Sequence, residues 1–118
     1  MYIRLDKEYE VKCTLGTIRA IETRFQKPFI PLMSELNKMT TAEQMRLLYC
    51  GFEKANPSVS EEAFGALMEE NVGMGDFADM LETYVYQLQY PGKSREEAEE
   101  IVQKKLQRAS RLNSTGKS

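Results

Sequence analysis

The residues best equipped for covalent or soft-metal chemistry in this 118-residue sequence are two cysteines, Cys13 and Cys50. They stand 37 positions apart, so no Cys-x-x-Cys pair opens a zinc site or a dithiol redox motif. The sequence has no His, which removes the commonest general base and the commonest metal ligand together. Nucleophile systems built on Ser–His or Cys–His are excluded with it. Asp76, Asp79 and Glu82 set three carboxylates at i, i+3 spacing. One helix face supplies too few convergent oxygens for a hard cation, and Asp76 reads better as a helix N-cap. The expectation is a protein with no catalytic site, no metal and no cofactor. Were it an enzyme, Cys13 would have to carry the reaction.

What remains is chemistry of binding. Tyr86 and Tyr90 are i, i+4 neighbours, roughly 180° around their helix from its apolar stripe at 100° per residue. Exposed tyrosines suit protein interfaces because they bury area at little entropic cost. The bland alternative is that the hairpin or the last helix covers them. A second candidate surface lies further on, where Ala98, Ile101, Val102, Leu106 and Ala109 form a stripe with Lys105 projecting from its middle. A lysine there snorkels only if the stripe's edge is wet. The candidate protein-binding residues are therefore Tyr86, Tyr90, Ile101, Val102, Lys105 and Leu106. The last four belong either to a detachable arm for a partner or for self-association, or to a solvated terminal helix.

A mass of 13.6 kDa is that of one domain, and 42% hydrophobic with 29% charged residues is an ordinary globular balance. The net charge of −2 gives no basic footprint for nucleic acid or an anionic membrane. That near-neutrality is a cancellation. Residues 1–92 hold nine basic and fourteen acidic residues, residues 93–118 seven and four. Pro91-Gly92 punctuates the join, dividing an acidic body, 1–92, from a basic C-terminal helix and frayed tail, 93–118. No run has the length of a transmembrane helix, and the N-terminus breaks up with charge too early for a signal peptide. Two unpaired-looking thiols suit a reducing cytosol.

The elements that position these residues are legible from periodicity. Ile3 and Leu5, then Tyr9, Val11 and Cys13, alternate with polar residues, as in a β-hairpin. A three-residue loop at Asp6-Lys7-Glu8 would set Leu5 opposite Tyr9 and Ile3 opposite Val11. Helices follow. One is expected from Leu15 to Gln26, with Leu15, Ile18, Ile21 and Phe25 on one face, and Pro28 ends it. A short piece covers Pro31–Asn37. Thr40 and Glu43 form a capping box for a helix to Lys54, buried on two faces. Ser60 caps Glu61–Asn71, and Asp76 starts a helix to Tyr90 with Phe77, Met80, Leu81, Tyr84, Val85 and Leu88 in one stripe. Ser94 and Glu97 form a second capping box for a final helix to about Arg111. The fold class is thus mainly α (α+β), a single domain in which an N-terminal β-hairpin precedes five to six amphipathic helices.

A helix-turn-helix reading of residues 41–71 fails. The intervening stretch is too long, and the second helix carries Glu61, Glu62, Glu69 and Glu70 with no Lys or Arg. The order of elements instead resembles the small tail assembly chaperones of tailed phages, prophages and gene transfer agents. The resemblance rests on the hairpin, on Leu15-Gly16-Thr17-Ile18-Arg19-Ala20-Ile21-Glu22, and on Phe25-Gln26-Lys27-Pro28 leading to Ile30, Leu32 and Leu36. It continues through Met39-Thr40-Thr41-Ala42-Glu43 and Leu47-Leu48-Tyr49-Cys50-Gly51-Phe52, then Ser60-Glu61-Glu62, and a last amphipathic helix to Tyr90. It covers about residues 3–90, and the basic segment after Pro91-Gly92 matches least.

The resemblance implies a non-enzymatic assembly factor of the host bacterial cytoplasm, absent from the mature virion. It implies that the chain coats the tape-measure protein and recruits tail tube protein, without nucleic acid or membrane as partners. It also leaves room for a homo-oligomer and for a frameshifted longer form. It assigns no binding residues. The alternative from another class is a small phage-encoded regulatory protein of DNA-binding or antirepressor type.

Overall fold

The computed structural model describes residues 1–91 and Glu100. Strands β1 (Tyr2–Arg4) and β2 (Glu8–Glu10) pair antiparallel, with Ile3 opposite Tyr9. The register is displaced by two residues from the expected one, in which Ile3 met Val11. The chain reverses over Leu5-Asp6-Lys7, where the Leu5 N–H donates to the Lys7 carbonyl at 2.9 Å. The displacement lets Met1 join the ladder, its carbonyl accepting from the Val11 N–H at 2.7 Å and its ammonium donating back at 3.1 Å. Period-two alternation is indifferent to a slip of two, so the apolar face survives and Ile3, Leu5, Tyr9 and Val11 are all buried.

Helix α1 (Leu15–Phe25) opens with a capping box made by two threonines, Thr14 and Thr17. It lacks the Glu or Gln that marks such boxes in a sequence. Gln26 then turns left-handed, with φ at 54°, and closes the helix ahead of Pro28. Ile21 is buried and Ile18 and Phe25 are half-buried, but Leu15 is 77% exposed, contrary to expectation. Leu15 is the first helical residue, and its end of the stripe runs out past the core. The expected Pro31–Asn37 piece is helix α2 (Phe29–Ser34) followed by a 3₁₀ turn, Leu36–Lys38. Helix α2 starts earlier because Pro31 fits a first turn, where its missing N–H is no loss. The Glu22 carboxylate accepts from the Phe29 N–H at 2.9 Å.

Helix α3 (Thr41–Ala55) has the expected capping box. The Glu43 N–H donates to Thr40 Oγ1 at 3.2 Å, and the Thr40 N–H to Glu43 Oε1 at 3.1 Å. Six successive residues, Leu47 to Phe52, are buried, so α3 is covered on more than one face and forms the centre of the fold. Helix α4 (Glu61–Asn71) begins at Ser60, whose hydroxyl accepts from the Ala63 N–H at 3.1 Å. Helix α5 (Met74–Gln89) begins at Gly73 rather than Asp76, with the Gly73 carbonyl taking the Phe77 N–H at 2.9 Å. Asp76 is therefore not the N-cap; it lies in the first turn, where a carboxylate still suits the helix dipole.

Two features fix α5 on this frame. Tyr84, fully buried, donates its hydroxyl to the Leu47 carbonyl at 2.9 Å. Gly51 lets β2's extension and α5 approach α3 closely. The Lys12 N–H donates to its carbonyl at 3.0 Å, and a Cβ there would meet Lys12 O at 2.7 Å and Tyr84 Cε1 at 2.8 Å. Beside them Tyr9, Tyr49, Phe52 and Phe64 form a contiguous ring cluster, with Phe52 and Phe64 centroids 4.5 Å apart. The architecture is mainly helical with an N-terminal two-stranded hairpin, as expected. The final helix expected to Arg111 lies outside the described residues, Glu100 apart.

Candidate functional site

Helix α5 buries Phe77, Leu81, Tyr84 and Leu88 against the body. At 100° per residue, Met74, Ala78 and Val85 lie beside that stripe, with Glu82 and Tyr86 further round. This flank faces Leu36 and Asn37 of the 3₁₀ turn and Gln44 of α3 across a groove of about 650 Å³. The opposite wall is braced, because Gln44 Nε2 donates to the Leu36 carbonyl at 3.1 Å. At the start of α5 a second depression of about 140 Å³ is lined by Met45, Met68 and Val72. Met74 and Phe77 line both, so one apolar surface runs from Val72 along α5 to Tyr86. Three methionines along it supply flexible, polarisable side chains that adapt to varied apolar partners. Met74, at the lip, is 65% exposed. The sixteen residues of α5 make a wall about 24 Å long at 1.5 Å per residue, room for roughly four turns of a bound helix.

Helix α5 carries Asp76, Asp79 and Glu82 and no Lys or Arg, and of these three Glu82 lines the groove. Among the described residues no group of three or more His, Cys, Asp or Glu side chains could hold a metal ion.

The two thiols are both buried and unbridged. Cys13 Sγ lies 3.8 Å from the Val11 carbonyl oxygen, and Cys50 Sγ 3.4 Å from that of Arg46. Loss of water around each pushes its thiol up to about 11, so the reactive thiolate is scarce near neutral pH.

Tyr86 and Tyr90 are both half-buried, neither core nor freely exposed. Tyr86 lines the groove, whereas Tyr90 is the C-cap of α5, donating its N–H to the Tyr86 carbonyl at 2.9 Å. Ile101, Val102, Lys105 and Leu106 lie outside the described residues. The groove-lining Leu36, Met74 and Val85 were not singled out as binding residues from the sequence. Val85 fell on the core stripe by spacing, yet is half-buried at its edge. The available signal was the flank Met74, Ala78 and Val85 beside that stripe, although spacing alone does not show which neighbour leaves it open.

Among the described residues no helix is long and apolar enough to cross a membrane. Compared with protein-family models, curated proteins and solved structures, the chain has no match in any of the three.

Proposed function

We propose that this chain is a non-enzymatic tail assembly chaperone of the phage or prophage type. It acts in the host bacterial cytoplasm, binding amphipathic helices of a tape-measure protein and bringing tail tube subunits to them. The observation that carries the reading is the groove beside α5, continuous through Met74 and Phe77 with a methionine-lined depression, which offers an amphipathic helix apolar side chains facing a braced wall. A factor that keeps long hydrophobic helices dispersed needs such a surface and no general base. The order of hairpin and helices from residue 3 to 90 supports the same reading through the family resemblance. The regulatory alternative would need a basic recognition helix, and α4 carries four Glu and no Lys or Arg.

The test is co-expression with an amphipathic segment of a tape-measure protein encoded beside this chain. The wild type should hold the segment in solution and co-purify with it. Val85→Asp with Tyr86→Ala should abolish recovery while far-UV circular dichroism stays unchanged. Failure of the wild type to retain the segment, or undiminished recovery by the variant, would overturn the reading.

A further inference from the structure

We propose that the outer edge of β1 is a self-association surface, on which a second copy of this chain sets its own β1 antiparallel to make a four-stranded sheet. The inference rests on the hairpin and is independent of the groove and of what the groove binds. The phase of the ladder shows which edge is open. Met1 and Val11 exchange both backbone hydrogen bonds, so Ile3 and Tyr9 face each other as a hydrogen-bonded pair too. Tyr2, Arg4, Glu8 and Glu10 lie between such pairs and turn their backbone N–H and C=O groups outward. On the β2 side α3 takes these groups up. The Glu10 carbonyl accepts from Asn56 Nδ2 at 2.8 Å, and further along the Lys12 N–H donates to the Gly51 carbonyl at 3.0 Å. On the β1 side no described residue bonds the outward groups of Tyr2 or Arg4. Both side chains there are exposed, Tyr2 by 64%.

An open strand edge is a template for another strand, and this one is complementary to itself. Its outward groups, at residues 2 and 4, are symmetric about Ile3. A twofold axis there pairs Tyr2 of each copy with Arg4 of the other and closes four backbone hydrogen bonds. Ile3 meets its counterpart on the core side, so the apolar face of one hairpin continues into the next. On the outer face each Arg4 guanidinium lies beside a Tyr2 ring, a cation–π pair. None of the ion pairs among the described residues uses Arg4. Charge favours the same partner. Within one hairpin Arg4 stands opposite Glu8 and Tyr2 opposite Glu10, so each row of the joined sheet reads Glu8, Arg4, Tyr2, Glu10, a cation between two carboxylates. Since α3 covers β2, β1 against β1 is the edge pairing left to two copies.

Sedimentation velocity on the full chain, up to about 1 mM, should show a reversible monomer–dimer equilibrium, since a contact this small is a weak one. Arg4→Pro removes one outward N–H from each copy and none from the β1–β2 ladder. It should weaken association by about tenfold or more while far-UV circular dichroism stays unchanged. Cross-linking reads the register and decides alone if Arg4→Pro fails to fold. Tyr2→Cys chains mixed with Arg4→Cys chains keep one Arg4–Tyr2 pair intact across the contact. Their substituted positions face each other with Cα atoms about 5.5 Å apart, within disulfide reach, whereas like positions stand about 7–8 Å apart on the diagonal. Mild oxidation should therefore link the two variants several times faster than it links either to itself. The native thiols, buried and protonated, do not compete. A chain monomeric at every concentration, a dimer that a folded Arg4→Pro chain forms equally well, or cross-linking with no preference for the mixed pair would overturn the inference.

Discussion

Replacing Gly51 by Ala adds one carbon at the point where three elements meet. In an unencumbered helix interior that change stabilises by about 1 kcal/mol, because glycine surrenders more backbone freedom on folding. Here the new Cβ would stand 2.7 Å from Lys12 O, 2.8 Å from Tyr84 Cε1 and 2.9 Å from Val11 Cγ1. None of the three yields cheaply. The Lys12 carbonyl is held by the Thr17 hydroxyl at 2.6 Å, and Val11 and Tyr84 are fully buried. Overpacking of a tight core costs about 1–3 kcal/mol, and three simultaneous contacts argue for the upper end. The net expectation is destabilisation by about 2 kcal/mol, which lowers Tm by roughly 8–16 °C in a domain of this size class. Gly65→Ala on α4 is the internal control, since its Cβ would meet only Met45 Cε at 3.9 Å, an ordinary contact. It should stabilise by about 0.5–1 kcal/mol. Urea unfolding followed at 222 nm measures both. A Gly51→Ala protein as stable as the wild type, or moving in the same direction as Gly65→Ala, would refute the close approach of α3, β2's extension and α5 on which the groove's geometry depends.

Further outcomes are expected at the α3 cap and at the buried thiols. Thr40→Ala should cost about 1 kcal/mol by removing the α3 cap, measured by the same unfolding assay. The N–H and hydroxyl of Thr40 hold the Glu43 carboxyl below its ordinary value of 4.5. The folded-state pKa is depressed, so the stability lost in Glu43→Gln should be fully present above 4.5 and fade as pH falls below it. The buried thiols work with the opposite sign. With Cys13 and Cys50 raised from 9.0 to about 11, their contribution is whole below pH 9.0 and lost as pH rises towards about 11. A thiol reagent at neutral pH should accordingly label both only after denaturation, and rapid labelling of the native chain would contradict their burial.

Much of the fold was legible because its signals are local. Thr40 with Glu43, and Ser60, are caps that a sequence announces, and both helices start where those residues place them. The α1 cap was not legible, since a Thr–Thr box carries no acidic mark. The hairpin register escaped for a different reason. Alternation fixes which face is apolar, whereas the choice between registers two residues apart falls to the tight reversal at Leu5-Asp6-Lys7 and the pairing of Met1 with Val11. The start of α5 was misplaced because Gly73 caps with its backbone alone. The groove was the least visible feature, since it exists only where the Leu36–Lys38 turn and α3 stand off from α5. Helical spacing could put Tyr86 on a face away from the stripe, but not show that Leu36 and Gln44 would wall the space beside it.

The central claim is that the flank of α5 is the binding surface. It is tested most directly by titrating the ¹⁵N-labelled full chain with an amphipathic tape-measure helix and following its amide resonances. The account predicts shifts concentrated at Leu36, Gln44, Met74, Ala78, Val85 and Tyr86, with the hairpin and α1 unperturbed. Shifts centred on the hairpin or α1, or no shifts at saturating helix, would contradict it.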